Sequence, residues 1–255
     1  MKAINYHIRG IITSFEQLSK GKYLVYFIPG VVLTLIFWYF QSKITSTGDS
    51  VNLHSSYGWI DWMASWLNYF VKGTFGFFAL ITEQIYIFAV LTLLSPFFTS
   101  LGETMDKDLT GNAVNSGFMR FINDMIRMVF VVLLMVIMEL FFMGFYAMIS
   151  WIFGFNDLFD TIVYQLIAAF FFGLSFYDFA LERYAKGVFS TIGFAFSNPL
   201  GMVIIGLLFL GIYNIPYIGI PIAPVLTVMI STVAYAYYTK ALPKGAPETT
   251  VAKDE

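Results

Sequence analysis

The sequence contains no cysteine and only two histidines. Without cysteine the chain has no disulfide, no thiolate metal ligand and no cysteine nucleophile. The histidines, His7 and His54, are too far apart in the sequence to indicate a metal site, and the glycines form no phosphate-binding pattern. We therefore expect no catalytic residue, no metal, no cofactor and no enzymatic activity. The net charge of -2 identifies no partner, and no nucleic acid is expected as one.

Charged residues are also scarce. They make up 12% of the 255 residues, whereas hydrophobic residues make up 58% and aromatic residues 20%. Several uncharged runs exceed the roughly 18 residues that identify a transmembrane candidate. A soluble protein would have to cover such runs with polar sequence, and this chain has too little of it. The composition therefore predicts an all-α integral membrane protein, with the lipid bilayer as its main surroundings.

The first twenty residues lack the continuous apolar segment and the small-residue cleavage site of a signal peptide. Their apolar side chains recur instead at helical spacing, with charged and amide residues between them. These apolar residues are Ile4, Ile8, Ile11, Ile12, Phe15 and Leu18. The pattern predicts an amphipathic helix that lies along the membrane surface. A helix packed against the rest of the protein is the alternative.

Two transmembrane helices are predicted next. The first covers Tyr23 to Phe40, which has no charge, and a kink is expected at Pro29. The second lies within Gly73 to Phe98 and contains one charge, Glu83. The segment that follows, from residue 99 to Arg127, is the most polar part of the chain and is expected to lie in water.

Two apolar hairpins complete the predicted fold. The first has arms at 128–155 and 161–177, joined by the sequence NDLFD, and its two aspartates must reach water on the far side or lie in a polar cavity. The second is the uncharged run from Gly187 to Thr239. Its arms, 200–213 and 223–239, are about 21 and 26 Å long against a hydrocarbon core of roughly 30 Å. We predict that this hairpin turns near 216–224 and enters the bilayer only partly.

The basic residues define an orientation for this arrangement. If both hairpins return to their starting side, twelve of the fourteen basic residues share one face, and only Lys43 and Lys72 lie opposite. The positive-inside rule makes the basic face cytoplasmic. Both termini and the segment around Gly102 to Arg127 are therefore expected in the cytoplasm. Residues 1–242 form one membrane domain in this interpretation, and residues 243–255 are a disordered cytoplasmic tail.

The order of these features resembles the family of CysZ-type sulfate permeases and their relatives, the etoposide-induced membrane proteins. The stretch SPFFTSLGETMDKDLTG is similar to a family pattern of Pro-Phe, then Glu, then Leu-Thr-Gly. The segment FYDFALER is similar to a second family pattern, with Asp178 and Leu181 matching but Ala180 in place of a proline. The stretch NIPYIGIPIAPV stands where the family has two proline motifs around a membrane-dipping turn. The matching residues are Pro96, Phe97, Glu103, Leu109, Thr110, Gly111, Asp178, Leu181, Pro216 and Pro224.

The resemblance implies a homo-oligomeric, CysZ-like helical protein of the bacterial inner membrane that conducts sulfate or a similar small anion. In the permeases an arginine after the first glycine of the opening motif holds sulfate. Here GKYLVYFIP keeps Gly21 and Pro29, but Tyr23 takes the arginine position. Lys22 is a substitute as a point charge, or an ordinary basic residue at a membrane boundary. We predict weak or absent sulfate binding, with Gly21, Lys22 and Tyr23 as the candidate site.

Two further groups of charged residues call for interpretation. Glu83 and Glu139 each lie about 15 Å into an apolar run, which indicates either a proton or cation relay or a protonated side chain bonding across an interface. Asp178, Glu182 and Arg183 are expected to form a cytoplasmic network that fixes the base of the second hairpin. The sequence thus predicts a small-anion channel or permease. The alternative is a non-transporting structural or interaction protein of the membrane.

Overall fold

The computed structural model describes residues 2–36, 39, 90–111, 118–182, 184, 187–215 and 218–239. Within these residues every regular element is a helix. Residues 28–36 are helix α2, which follows a short 3-10 turn at Leu24–Phe27, and residues 90–110 are helix α3. The other helices are α1 Lys2–Ser19, α4 Phe118–Phe153, α5 Asp157–Glu182, α6 Val188–Ser197, α7 Pro199–Tyr213 and α8 Gly219–Tyr238.

Three of the described helices are long and apolar enough to cross a membrane. They are Ile126–Phe153 within α4, the whole of α5, and the whole of α8. Helices α6 and α7 pass the same test as a pair, but they bend by 98° and so form a broken span or a re-entrant loop. The prediction of an all-helical, membrane-embedded protein is confirmed. Most of the second predicted span, from residue 73 to residue 89, lies outside the described residues.

The hairpin of α4 and α5 has a shorter loop than the sequence predicted. Gly154, with φ 64°, follows the last turn of α4, and α5 begins at Asp157. The side-chain oxygen of Asn156 accepts a hydrogen bond from the backbone N–H of Phe159 at 2.8 Å, which caps the new helix. Asp157 and Asp160 therefore belong to the first turn of α5, where the helix dipole favours negative charge.

The second hairpin also differs in detail from the prediction. Helix α7 matches the first predicted arm, but α8 begins at Gly219 and contains 20 residues, or about 30 Å, so it is long enough to cross. Pro221 is in its first turn, where the missing N–H has no helical partner to lose, and Pro224 lies inside the helix. Residues 216 and 217, part of the turn, lie outside the described residues.

Helix α8 lies at the centre of the protein, because almost all of its side chains are buried. Helices α5 and α7 approach each other at two glycines. A methyl group on Gly173 would overlap the carbonyl oxygen of Met202, and one on Gly206 would overlap that of Ala169. Small residues at these points let the two backbones come into contact, as is common between membrane helices.

Helix α1 packs against the rest of the protein, as the alternative interpretation of its sequence predicted, and it keeps an exposed apolar face. Its buried face consists of His7, Gly10 and Ser14, and a Cβ on Gly10 would lie 2.9 Å from the carbonyl oxygen of Ile230 in α8. Of the apolar residues, Ile4, Ile8, Ile12 and Phe15 stay exposed, whereas Ile11 and Leu18 pack against the core. The helix therefore docks on α8 through small and polar residues and turns an apolar face outward.

Candidate functional site

The predicted anion site lies in the turn between α1 and α2. Gly21 has φ 76° and Tyr23 has φ 65°, so two residues of the turn are in the left-handed region. Glycine adopts this conformation freely, whereas for a residue with a side chain it costs about 1–2 kcal/mol. The turn connects α1 to the segment before α2 and places the side chains of Lys22 and Tyr23 against α3.

Both side chains bind the same atom of α3. The Nζ of Lys22 donates to Oδ2 of Asp108 at 3.1 Å, and the hydroxyl of Tyr23 donates to the same oxygen at 2.8 Å. The ion pair is partly open to the surroundings, with the Lys22 side chain 49% exposed and that of Asp108 40% exposed. Two donors from adjacent residues thus converge on one carboxylate oxygen.

The protonation states of this cluster follow from its hydrogen bonds. The hydrogen bond from Tyr23, and then the bond and charge of Lys22, hold the pKa of Asp108 below its usual value. Burial, followed by the bond to Asp108, raises the pKa of Tyr23. Tyr23 therefore stays a neutral donor and Asp108 a carboxylate. Lys22 and Asp108 together carry no formal net charge.

A row of hydroxyl groups continues from this cluster along α3. Ser100, Thr104 and Asp108 follow one another at intervals of four residues and so share a face of the helix. The hydroxyl of Tyr26 lies 3.2 Å from the side-chain oxygens of both Ser100 and Thr104. The side of α3 that faces the 3-10 turn before α2 is therefore lined with polar groups.

The stretch SPFFTSLGETMDKDLTG, the first one compared with the CysZ-type family, forms most of α3 and the residue after it. Pro96 and Leu109 are buried, Phe97 is exposed, and Glu103 is half-buried. Thr110 donates to the backbone oxygen of Asp106 at 2.8 Å. Gly111 follows α3 with φ 79°, and its N–H bonds to the oxygen of Lys107 at 2.8 Å, so it caps the helix in the left-handed conformation. These residues shape α3 and its end.

Two members of the predicted network, Asp178 and Glu182, share an ion-pair network whose described cation is Arg127. The Nη2 of Arg127 donates to Oδ1 of Asp178 at 2.9 Å, and its Nη1 lies 2.7 Å from Oε1 of Glu182. Thr191 of α6 donates to the same Asp178 oxygen at 2.9 Å. The network joins α4, α5 and α6, and Leu181 is buried beside it. Arg183 lies outside the described residues.

Sequence reasoning missed Arg127 because this residue stands some fifty positions before its partners. A signal was present, since an arginine at the start of an apolar run needs a partner close to the membrane boundary. Asp178 and Glu182 occupy the end of the following antiparallel arm, which places them at the same level.

The other predicted residues lie apart from the Lys22 cluster. Glu139 is buried in the middle of α4, and Pro224 is buried in α8. Glu83 and Pro216 lie outside the described residues. In the described part of the chain no group of three or more acidic and histidine side chains could hold a metal ion.

His7 has a structural role. From the sequence alone, this residue was considered only as a metal ligand, and a metal site was not expected. Its Nδ1 lies 2.6 Å from the carbonyl oxygen of Ala3, which can only accept, so Nδ1 is the donor. Its Nε2 then accepts from the hydroxyl of Tyr177 at 2.8 Å, which ties α1 to α5. Burial lowers the pKa of His7 below 6.5.

No family model matches the chain, and no curated protein matches it.

Proposed function

We propose that the protein is a membrane transport protein for small oxygen anions, of the CysZ-like kind, with the Lys22–Tyr23–Asp108 cluster at its anion site. The observation that carries this proposal is the convergence of the Lys22 ammonium and the Tyr23 hydroxyl on one anionic oxygen, at 3.1 and 2.8 Å. A charged and a neutral donor aimed at one point form a site for an oxyanion.

The occupant of this site is the carboxylate of Asp108, which is part of the protein. An external anion must displace it, so binding of the anion competes with an internal ion pair. Tyr23 also supplies one neutral hydrogen bond where a guanidinium would supply a charged fork, and charge-assisted bonds are about twice as strong as neutral ones. Both effects support weak sulfate binding by the wild-type protein.

The test is an ion-flux assay in liposomes, with sulfate compared with chloride. Asp108→Asn frees both donors of their internal anion, so anion flux should rise several-fold. Lys22→Ala should abolish the flux, and Tyr23→Arg should raise the sulfate flux further in the Asp108→Asn background. The matched control is Glu16→Gln, which removes another exposed carboxylate that is paired with a lysine, Lys20, at 2.6 Å. This control should leave the flux unchanged.

One observation favours the alternative, a non-transporting structural or interaction protein. Asp108 occupies both donors and neutralises Lys22, so the cluster also serves as a plain link between α3 and the turn before α2. Absence of anion flux in both the wild type and Asp108→Asn would contradict the transport proposal and favour this alternative. Sulfate binding that survives Lys22→Ala would place the anion site elsewhere.

The proposal includes an oligomer of identical chains in a bacterial inner membrane, with both termini in the cytoplasm. Support comes from the distribution of basic residues, twelve of which share one side in the predicted topology. Single cysteines introduced into this cysteine-free chain test the orientation. Labelling of residue 115 by an impermeant reagent in intact cells would contradict it.

A further inference from the structure

Glu139 occupies an unusual position in the most apolar of the three candidate membrane spans. The apolar part of α4, Ile126–Phe153, has 28 residues, its most apolar 18-residue window has a mean hydropathy of 2.6, and Glu139 is the fourteenth residue of the segment. The residue is only 2% exposed, and neither carboxyl oxygen has a hydrogen-bond partner among the residues that the structure describes. A carboxyl group is therefore buried near the middle of a candidate span without compensation from any residue in the described part of the chain.

The surroundings decide which form of the carboxyl group is stable there. An ionised carboxylate in an apolar environment needs an opposite charge or several donors. The described cation on α4, Arg127, lies twelve residues away, about 18 Å along the helix, and is bound to two other carboxylates. The titratable groups on α5, the helix packed beside α4, are Asp157, Asp160, Tyr164, Tyr177, Asp178 and Glu182, and α6 has none.

A proton is the ligand that this environment fits. A metal cation such as Ca²⁺ requires about six to eight oxygen ligands, and no such set surrounds Glu139 within the described ranges. A proton requires a single oxygen and removes the charge that burial disfavours. The neutral carboxylic acid is therefore the form of Glu139 that the helix can hold.

The two directions along the buried face of α4 differ in polarity. Toward the hairpin tip, Tyr146 and Ser150 follow Glu139 by seven and eleven residues, which places all three on one face. Both hydroxyls donate to Asp160 of α5, at 2.6 and 2.7 Å. Toward the other end the same face carries Met135, Val131 and Met128, all apolar and buried. On this face of α4 the nearest described polar side chain is therefore that of Tyr146, seven residues or about 10 Å toward the tip, and Phe142 and Met143 lie between it and Glu139.

We propose that Glu139 is a proton-binding site at the middle of the α4 span, and that it exchanges its proton through the Tyr146–Ser150–Asp160 cluster at the hairpin tip. The tip carries exposed Asp157 and half-exposed Asp160, so a proton that reaches it meets titratable carboxylates. This inference is independent of the anion site, because it concerns a different helix and a different ligand.

Infrared spectroscopy of the full chain in lipid nanodiscs tests the site directly. A protonated carboxyl group has its own C=O stretching band, separate from that of a carboxylate. At neutral pH the wild type should show this band, and Glu139→Gln, which keeps the size and neutrality of the side chain, should lose it. The control Glu16→Gln removes an exposed carboxylate and should leave the band unchanged. An identical band in the wild type and in Glu139→Gln would overturn the proposal.

A second measurement applies to the wild type, so it does not depend on the folding of the variant. An apolar carbodiimide reacts with protonated carboxyl groups inside a membrane and leaves an N-acylurea adduct that mass spectrometry can locate. Glu139 should carry the adduct after treatment at neutral pH. Modification of other carboxyl groups with Glu139 unmodified would contradict the proposal.

The access route is tested by hydrogen–deuterium exchange of the same infrared band. After transfer into D₂O, the band of Glu139 should shift several-fold more slowly in Tyr146→Phe and Ser150→Ala than in the wild type. Tyr237→Phe removes a hydroxyl from α8 and should exchange at the wild-type rate. Exchange at the wild-type rate in both Tyr146→Phe and Ser150→Ala would overturn the route through the tip.

Discussion

Replacing Arg127 by methionine removes the described cation of the network that joins α4, α5 and α6. Methionine keeps a similar length and an apolar stem, so the change acts mainly on charge and hydrogen bonding. The guanidinium bonds to Asp178 at 2.9 Å and lies 2.7 Å from Glu182. In the variant neither carboxylate keeps the positive charge of Arg127 beside it.

The size of the effect follows from how deeply these groups are buried. The side chain of Asp178 is 0% exposed, that of Glu182 is 8% exposed and that of Arg127 is 22% exposed. Removing one partner of a buried ion pair costs about 3–5 kcal/mol, because the other charge stays buried and uncompensated. We expect Arg127→Met to lower the free energy of unfolding by an amount in this range. Thr191, the other described donor to Asp178, compensates one hydrogen bond and no charge.

The measurement is the unfolding free energy of the purified protein in mixed micelles, titrated with a denaturing detergent. Adding Asp178→Asn and Glu182→Gln to Arg127→Met should recover part of the loss, because the two carboxylate charges that Arg127 balances disappear. Lys20→Met breaks the exposed pair with Glu16 and serves as the control, with no measurable change expected. If Arg127→Met is no more destabilising than Lys20→Met, the network does not hold these helices together.

Two further predictions concern helix contacts. Gly206→Ala should destabilise the protein by about 1–3 kcal/mol, because the added methyl group overlaps the carbonyl oxygen of Ala169. Gly211→Ala in the same helix places its methyl group in open space and should not destabilise the protein. Equal melting temperatures of the two variants would contradict this prediction. Burial lowers the pKa of His7 in the folded protein below 6.5, the ordinary value that the unfolded chain keeps. As the pH falls through 6.5, the unfolded chain therefore binds the proton more readily than the folded protein does, and stability is lost. The melting temperature should therefore fall between about pH 7 and pH 5 in the wild type and less so in His7→Gln, and parallel pH profiles would refute this.

The helical, membrane-embedded architecture could be predicted because long apolar runs permit few other structures. The ends of the helices were harder to predict. The sequence NDLFD was interpreted as a loop because it is polar, yet Asp157 and Asp160 begin α5, since Asn156 supplies the cap. Likewise α8 begins before Pro221, because a proline in the first turn of a helix loses no hydrogen bond. In both cases a local capping rule decided the boundary, and overall polarity did not.

The candidate site could be predicted only in part. The sequence indicated Lys22 and Tyr23, but their common partner, Asp108, stands some 85 positions away and is one of several acidic residues in a polar stretch. The spacing of Ser100, Thr104 and Asp108 on one helical face was a usable signal. The contact itself could not be inferred, because it depends on the left-handed turn at Gly21 and Tyr23, which brings their side chains against α3.

The contact between α1 and α8 has a consequence for how the chain is made. Gly10 of the first helix touches Ile230 of the last, so the ribosome must add 220 further residues before the docking surface exists. At about 5–20 residues per second, this interval lasts roughly 10–40 s. During it, the leading helix can rest on the membrane through Ile4, Ile8 and Ile12, the face that stays outward after docking. Docking of α1 therefore waits until α8 has been made, and a chain truncated before α8 leaves α1 without the helix against which it packs.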